Sequence, residues 1–397
     1  MGQEKWKAAS TTRELREFRG GAARIAVHFR ESMSGGGTRS SMRIRFTLAL
    51  SVVLPSVLLT VLWIWWAESD PRGERELRML VQDQLHEWFP EAMTPPFGVY
   101  GLFPRSEKAP DGAAPRIVLV HGLDEPGTIW NDLVPSLEEA GFDVWEFRYP
   151  NDQGIDRSAD LLAKHWPQLE PERPVILIGH SMGGLLVRDF VSRLRHPEGA
   201  ASGVDGAAVT GVILVGTPNQ GSEWARLRVW LELREQLAIG MDGRFSLFAS
   251  LRDGTGAAKI DLRPGSPFLR ELDEREWPTR VPVRIIGGIL LDPPPAMTAG
   301  LEAIGAGLNS AELSGALRGW WSDIGDELGD GVVPVASLTF QDAPPPILVS
   351  ASHRGMLARF FANDPEPPAI PYIVDIAVGW ATPEAGFSSE GSDLDQR

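Results

Sequence analysis

The sequence predicts a doubly wound α/β fold, in which helices cover both faces of a mostly parallel β-sheet. Several short runs are continuously apolar, which is typical of strands buried on both faces of a parallel sheet. Amphipathic helical segments alternate with these runs, as in chains built from β-α-β units. A length of 397 residues, 43% of them hydrophobic and 23% charged, suffices for one large domain or two.

The charge balance and the absence of cysteine exclude several classes of protein. The formal net charge is −15 at pH 7, which argues against a nucleic-acid-binding surface. Because the chain has no cysteine, disulfide bonds, cysteine-ligated zinc and a thiol nucleophile are excluded. We expect no metal and no organic cofactor, and no obligate protein partner is indicated.

The N-terminal part of the chain predicts a membrane anchor. Residues 1–45 form a basic tail with a net charge of +6, and the 22 residues 46–67 carry no charge. A transmembrane helix needs about 20 apolar residues. Trp63, Trp65 and Trp66 cluster at the end of the run, as interfacial anchors do. We predict a single retained span with the rest of the chain on the extracytoplasmic side; a cleaved signal peptide and a buried core helix are the alternatives.

A helix and a linker are expected over residues 71–114. Leu77, Leu80, Val81, Leu85 and Trp88 recur at helical spacing, which predicts an amphipathic helix that ends before a proline. The segment that follows is rich in proline and glycine and predicts a loop.

The main α/β domain is expected over residues 115–380. The apolar runs predict six strands, at Arg116–Val120, Phe142–Phe147, Val175–Ile178, Val212–Val215, Val283–Ile286 and Ile347–Val349. Between them, Ile129–Ala140 and Asp156–Trp166 predict helices. Residues 382–397 are small, polar and acidic, and predict a disordered tail.

Two insertions interrupt the regular alternation, at about residues 221–280 and 293–324. Both carry apolar stripes at helical spacing. Such helices form either a cap or lid over a binding pocket or ordinary outer helices packed on the sheet. Both structures require apolar faces, so the sequence leaves both open.

The strongest chemical signal is the sequence Gly-His-Ser-Met-Gly around Ser181. A predicted strand leads directly into it, and Val187, Phe190, Val191 and Leu194 predict a helix that leads out. A strand–turn–helix this tight strains the serine backbone, and the flanking glycines permit a close approach that a Cβ would block. The turn would expose the Ser181 hydroxyl at a helix N-terminus, which stabilises negative charge.

Four segments together resemble the α/β-hydrolase superfamily. They are Val118–Leu123 (VLVHGL), Gly179–Gly184 (GHSMGG), Gly216–Ser222 (GTPNQGS) and Asp330–Pro334 (DGVVP). More narrowly they resemble its lipases and carboxylesterases, including lipid deacylases and triacylglycerol lipases. The resemblance covers Pro115–Phe361 and implies an α/β-hydrolase fold with helical cap insertions.

A serine nucleophile requires a general base, and His353 fits best among the seven histidines. It lies four residues past the last predicted strand, where the base of the resembling enzymes follows the acid. Asp330 is the favoured acid, because it begins the lipase-like DGVVP segment. Asp292, at the end of a strand-derived segment, is the alternative.

The resemblance also implies an oxyanion hole formed by the backbone N–H groups of Leu123 and Met182. Such fixed donors stabilise the alkoxide that develops when an ester is attacked. We expect His121 to organise its loop by hydrogen bonding, without a chemical role. The implied function is hydrolysis of lipid or other apolar carboxylic esters at a membrane, through an acyl-enzyme. Acyl transfer by the same residues and a non-catalytic membrane-bound scaffold are the alternatives.

Overall fold

The computed structural model describes residues 55–94, 99–105, 114–123, 125, 127–223, 254–290, 328–341, 343–359, 361 and 363–382. The chain divides into two compact units, Met1–Ser69 and Asp70–Arg397. In the first unit, residues 55–69 are helical, and the rings of Trp63 and Trp66 lie 5.2 Å apart. None of the helices in the described ranges has the length and apolar character needed to cross a membrane. The predicted basic tail, residues 46–54 of the predicted anchor and residues 383–397 lie outside the described residues.

A seven-stranded sheet forms the centre of the second unit, in the order β1-β3-β2-β4-β5-β6-β7. The strands are β1 (Gly101–Pro104), β2 (Arg116–Val120), β3 (Asp143–Arg148), β4 (Val175–His180), β5 (Val209–Val215), β6 (Val283–Ile289) and β7 (Ile347–Ser350). Strand β1 pairs antiparallel with β3, and the other neighbouring pairs are parallel. Strands β2 to β7 therefore place their carboxyl ends at one edge of the sheet, which we call the carboxyl edge.

Helices cover both faces of this sheet. The helices of this unit are α1 (Pro71–Trp88), α2 (Leu133–Glu139), α3 (Ile155–His165), α4 (Met182–Asp189), α5 (Ala257–Asp261), α6 (Pro267–Asp273) and α7 (Ala369–Ala381). Helix α4 continues as a π-helical turn over Phe190–Arg195. Side chains alternate across each strand, so β4 directs Leu177 to the core shared with α3, α4 and α6, and Ile176 and Ile178 to the core shared with α2 and α7.

The predicted parallel sheet is confirmed, and the structure adds two elements to it. All six predicted strands are present, most of them longer by one to three residues. Strand β1 lies in the segment expected to be a linker. It was not predicted, because four residues containing Pro104 are too few to show a clear alternating pattern. Helix α7 lies beyond the expected end of the resemblance at Phe361 and packs against β5 and α2. The α/β unit thus extends beyond Pro115–Phe361 at both ends.

Two other expectations are changed in detail. The single helix expected over Ile129–Ala140 is a 3₁₀ turn at Thr128–Trp130 followed by the shorter helix α2. Much of both insertions, residues 224–253 and 291–327, lies outside the described residues, so the choice between a lid and outer helices stays open. Helices α5 and α6 belong to the described part of the first insertion.

Helix α1 is present as predicted, but some of its polar side chains point inward. Asp70 accepts a hydrogen bond from the Gly73 N–H, which caps the helix, and a proline occupies its first turn. Glu74 and Gln82 are buried, whereas Leu80 and Trp88 are exposed. Four of the five predicted apolar residues are therefore exposed, and Leu85 is half-buried.

Candidate active site

Ser181 occupies the sharp turn between β4 and α4, at the carboxyl edge. Its φ of 54° makes it the one non-glycine residue with a positive φ in the described part of the chain. Such a conformation costs on the order of 1–3 kcal/mol and persists only when its surroundings enforce it. Here the Ser181 N–H donates to the Val215 carbonyl at 2.8 Å, and helix α4 begins at the next residue.

The glycines around Ser181 permit this turn by allowing backbone to pack on backbone. A Cβ on Gly179 would lie 2.6 Å from the Cα of Gly184, and one on Gly183 would overlap the carbonyl oxygen of Val120. A Cβ on Gly122 would lie 2.8 Å from the Ser181 Cβ. Side chains at these positions would push the start of α4 and the loop after β2 away from the serine.

The structure brings the three predicted site residues together in one hydrogen-bonded chain. His353 Nε2 lies 2.9 Å from Ser181 Oγ, and His353 Nδ1 lies 2.7 Å from Asp330 Oδ2. Because an ionised carboxylate only accepts hydrogen bonds, the arrangement fits Nδ1–H donating to Asp330 and Nε2 accepting from the serine hydroxyl. In the sequence, Ser181 follows β4, Asp330 follows β6 and His353 follows β7. Ser181 is 172 positions from His353, and Asp330 is 23 positions from it.

Asp330 is held by donors on both carboxylate oxygens. Oδ1 accepts from the N–H groups of Val332 and Val333, at 2.9 and 2.8 Å, and Oδ2 accepts from His353. The backbone N–H of His353 also donates to the Asp330 carbonyl at 2.9 Å. The carboxyl group is buried, and these donors fix its direction.

A protein-family model described as the alpha/beta hydrolase family matches residues 117–386. The chain belongs to this family. The match runs from the second residue of β2 to beyond the end of α7 and includes all three residues of the hydrogen-bonded chain.

Several solved structures are similar to this hydrolase. The mature lipase BlEst2 of Bacillus licheniformis is 18% identical, with a TM-score of 0.44 over 70% of this chain and 97% of that one. The metagenomic carboxyl esterase MGS0156 is 20% identical, with a TM-score of 0.46 over 68% of this chain and 77% of its own. The Staphylococcus hyicus lipase is 14% identical, with a TM-score of 0.45 over 69% and 96%. Sequence comparison with curated proteins finds no match.

The two predicted oxyanion-hole residues are close neighbours of residues in the serine turn. Met182 is the first residue of α4, so its N–H has no acceptor within the helix. Leu123 follows Gly122, whose Cα packs against Ser181. The oxyanion hole formed by these two N–H groups stays a prediction.

The imidazoles of His121 and His180 are buried beside this site. Hydrogen bonding organises the loop around His121, whose Nδ1 lies 3.0 Å from the Gly122 carbonyl and whose own carbonyl accepts from the Tyr149 hydroxyl. The His180 ring lies 4.8 Å from the His353 ring, and its Nε2 lies 3.3 Å from the His353 carbonyl. Burial lowers the pKa of His121, and burial together with the neighbouring His353 lowers the pKa of His180 well below its ordinary value. Both side chains are therefore neutral near pH 7.

The structure leaves the alternative acid untested and bears on a metal site only within the described ranges. Asp292 lies outside the ranges that the structure describes. Within those ranges, no group of three or more His, Cys, Asp or Glu side chains is arranged to hold a metal ion.

Two features of the site were not predicted from the sequence. Arg354 pairs with Glu125, which links the loop that carries His353 to the loop that carries Leu123. Gly216 has a φ of 57°, and a Cβ there would lie 3.2 Å from the His353 ring. The glycine belongs to the GTPNQGS segment, which could have suggested a close approach, but the ion pair spans 229 residues and leaves no local pattern.

Proposed function

We propose that this protein is a serine hydrolase that cleaves carboxylic esters through an acyl-enzyme at Ser181. The observation that carries the proposal is the continuous hydrogen-bonded chain from Ser181 Oγ through His353 to the buried Asp330. A serine hydroxyl is a weak nucleophile, and an oriented imidazole within hydrogen-bond reach activates it. The strained turn directs the hydroxyl at the start of a helix, where negative charge is stabilised.

In the proposed first step, Ser181 Oγ attacks the ester carbonyl carbon and His353 Nε2 takes the serine proton. The negative charge moves to the carbonyl oxygen, where the N–H groups of Leu123 and Met182 donate to it. Asp330 stabilises the imidazolium and holds it in the required tautomer. His353 then gives its proton to the leaving alkoxide oxygen as the C–O bond breaks, which releases the alcohol and leaves the acyl group on Ser181.

In the second step, His353 takes a proton from water and the resulting hydroxide attacks the acyl carbonyl. The tetrahedral intermediate collapses as Ser181 recovers its proton from His353, and the carboxylic acid is released. These steps use only the chain's own residues and water.

We propose that the esters are lipids or other apolar esters and that the enzyme works at a membrane. The uncharged run at residues 46–67, with its basic flank and its terminal tryptophans, supports attachment by a single N-terminal span. The arginines on the N-terminal side of the run favour a cytoplasmic tail and an extracytoplasmic catalytic domain.

The nucleophile assignment predicts that Ser181→Ala abolishes hydrolysis of p-nitrophenyl esters by the purified protein. We expect the rate of hydrolysis to fall by at least ~10³-fold, because only substrate binding and the oxyanion donors remain once the nucleophile is removed. A fluorophosphonate probe should label the wild type and spare the variant. Ser136→Ala on α2 is the matched control and should react normally; an active, labelled Ser181→Ala protein would refute the assignment.

A further inference from the structure

Helix α1 is attached to the α/β unit through charged side chains. Glu74, which is buried, pairs with Arg78 at 2.7 Å and with Arg263 at 3.2 Å. Arg75 pairs with the buried Asp261 at 2.6 Å. A helix that directs ion pairs inward has a fixed rotation about its axis, because turning it would leave buried charges unpaired.

Beside these inward-pointing side chains, α1 exposes an apolar stripe. It consists of Leu77, Leu80, Val81 and Trp88, which are 37%, 63%, 43% and 65% exposed. The spacing places the four side chains on one side of the helix, over roughly 17 Å at 1.5 Å per residue. Scattered exposed apolar residues are normal, but a contiguous stripe on a fixed helix indicates a contact surface.

This apolar stripe lies at the same edge of the sheet as Ser181. Arg75 also pairs with Asp156, in the first turn of α3, and that helix follows the carboxyl end of β3. Arg78 donates to the carbonyl of Thr255, which precedes α5. These contacts place α1 at the carboxyl edge, where the proposed nucleophile lies.

We propose that the apolar stripe of α1 lies in the interface of a lipid bilayer and directs the carboxyl edge towards it. The inference rests on the membrane attachment proposed above. Only Glu68–Asp70 separate the uncharged run from the first residue of α1, so the chain enters this helix directly from the predicted span. An interfacial helix needs an apolar face with charged residues beside it.

The charged residues beside the stripe indicate the headgroup charge of the lipid that it contacts. Glu76 and Glu87 are exposed, whereas Arg72 pairs with Glu271 and Asp83 pairs with Arg157. Acidic side chains are not attracted to anionic headgroups, so burial of the apolar side chains must provide the binding. We therefore expect contact with zwitterionic lipid, such as phosphatidylcholine, without a requirement for anionic lipid.

The absence of cysteine permits a direct test with single labelled thiols. Full-length protein carrying Leu80→Cys is labelled with an environment-sensitive fluorophore and reconstituted in phosphatidylcholine vesicles that contain a nitroxide-labelled lipid. Leu58→Cys, in the helix of residues 55–69, reports membrane attachment. Val378→Cys is the matched control, because it is 42% exposed on α7, on the other face of the sheet.

We expect lipid quenching of the Leu58 and Leu80 labels to be several-fold stronger than that of the Val378 label. Quenching at Leu58 without quenching at Leu80 would overturn this inference and leave the attachment intact. Quenching at neither position would refute both. If the Leu80 label emits at a wavelength typical of an apolar environment but lipid does not quench it, another part of this chain or a second copy covers the stripe. Equal quenching at Val378 would show unspecific contact with lipid. Either result overturns the inference. Each labelled variant is first assayed on soluble esters, so failure of the proposed hydrolase activity is detected separately.

Discussion

At the scale of single residues, the proposed hydrogen-bonded chain from Ser181 through His353 depends on Asp330. Its buried carboxylate accepts from Val332, Val333 and His353. Asp330→Asn keeps the shape but presents an amide to the imidazole, which favours the wrong tautomer and no longer stabilises imidazolium. We expect kcat to fall by up to ~10⁴-fold while circular dichroism stays unchanged.

Asp292→Asn is the comparison for this prediction, because Asp292 is the alternative acid in the sequence. We expect this second variant to retain nearly normal turnover. If both variants fold and only Asp292→Asn is crippled, the role of the acid moves from Asp330 to Asp292.

At the scale of structural elements, two ion pairs connect the segment after β7 to the segment after β2. Arg354 pairs with Glu125, and Arg359 pairs with Asp132 at 3.1 Å. The first segment carries His353 and the second carries Leu123. We interpret Arg354 and Glu125 as positioning residues that fix the base relative to the oxyanion donors.

This interpretation predicts that Arg354→Met lowers kcat roughly tenfold, which corresponds to about 1.4 kcal/mol in the activation free energy, with a smaller effect on KM. The charge-swapped pair Glu125→Arg with Arg354→Glu should recover part of the loss. Arg157→Met is the control, since it removes an exposed ion pair with Asp83 on α1. An unchanged kcat in Arg354→Met, measured on a soluble ester, would refute the positioning role.

At the scale of the whole molecule, buried histidines make the stability of the fold depend on pH. His196 Nε2 accepts a hydrogen bond from the Val209 N–H at 3.0 Å. Burial, together with Arg195 and Arg280, lowers the pKa of His196 to about 4. The unfolded chain takes up a proton near pH 6.5, before the folded chain does, so acidification favours unfolding.

We therefore expect the free energy of unfolding to fall as the pH drops from about 6.5 to about 4. Above that range the titration of His196 contributes little to the pH dependence of this free energy. Urea titrations at several pH values measure this quantity. His196→Gln should reduce the slope, and the remainder is attributed partly to His180, whose pKa is lowered in the same direction. An identical slope in the variant would contradict the assignment to His196.

The sequence by itself determined the parallel sheet, the position of the serine turn and the order of the site residues. These are local signals: continuously apolar strands, glycines at fixed offsets from Ser181, and a scarce histidine after the last strand. The amphipathic pattern also predicted helix α1. Each of these features depends on residues that are close together in the sequence, because strand burial and turn geometry act over short distances.

Only the tertiary structure decided which distant groups meet and which faces are buried. The sequence left Asp330 and Asp292 open, and the fold places Asp330 beside His353. It also adds β1 at the edge of the sheet, pairs Arg354 with Glu125 and turns Glu74 and Gln82 of α1 inward. Hydrophobic periodicity identifies an apolar face but not its partner. In α1 the buried ion pairs with residues far along the chain fixed the rotation of the helix, and such pairings exist only after the chain has folded.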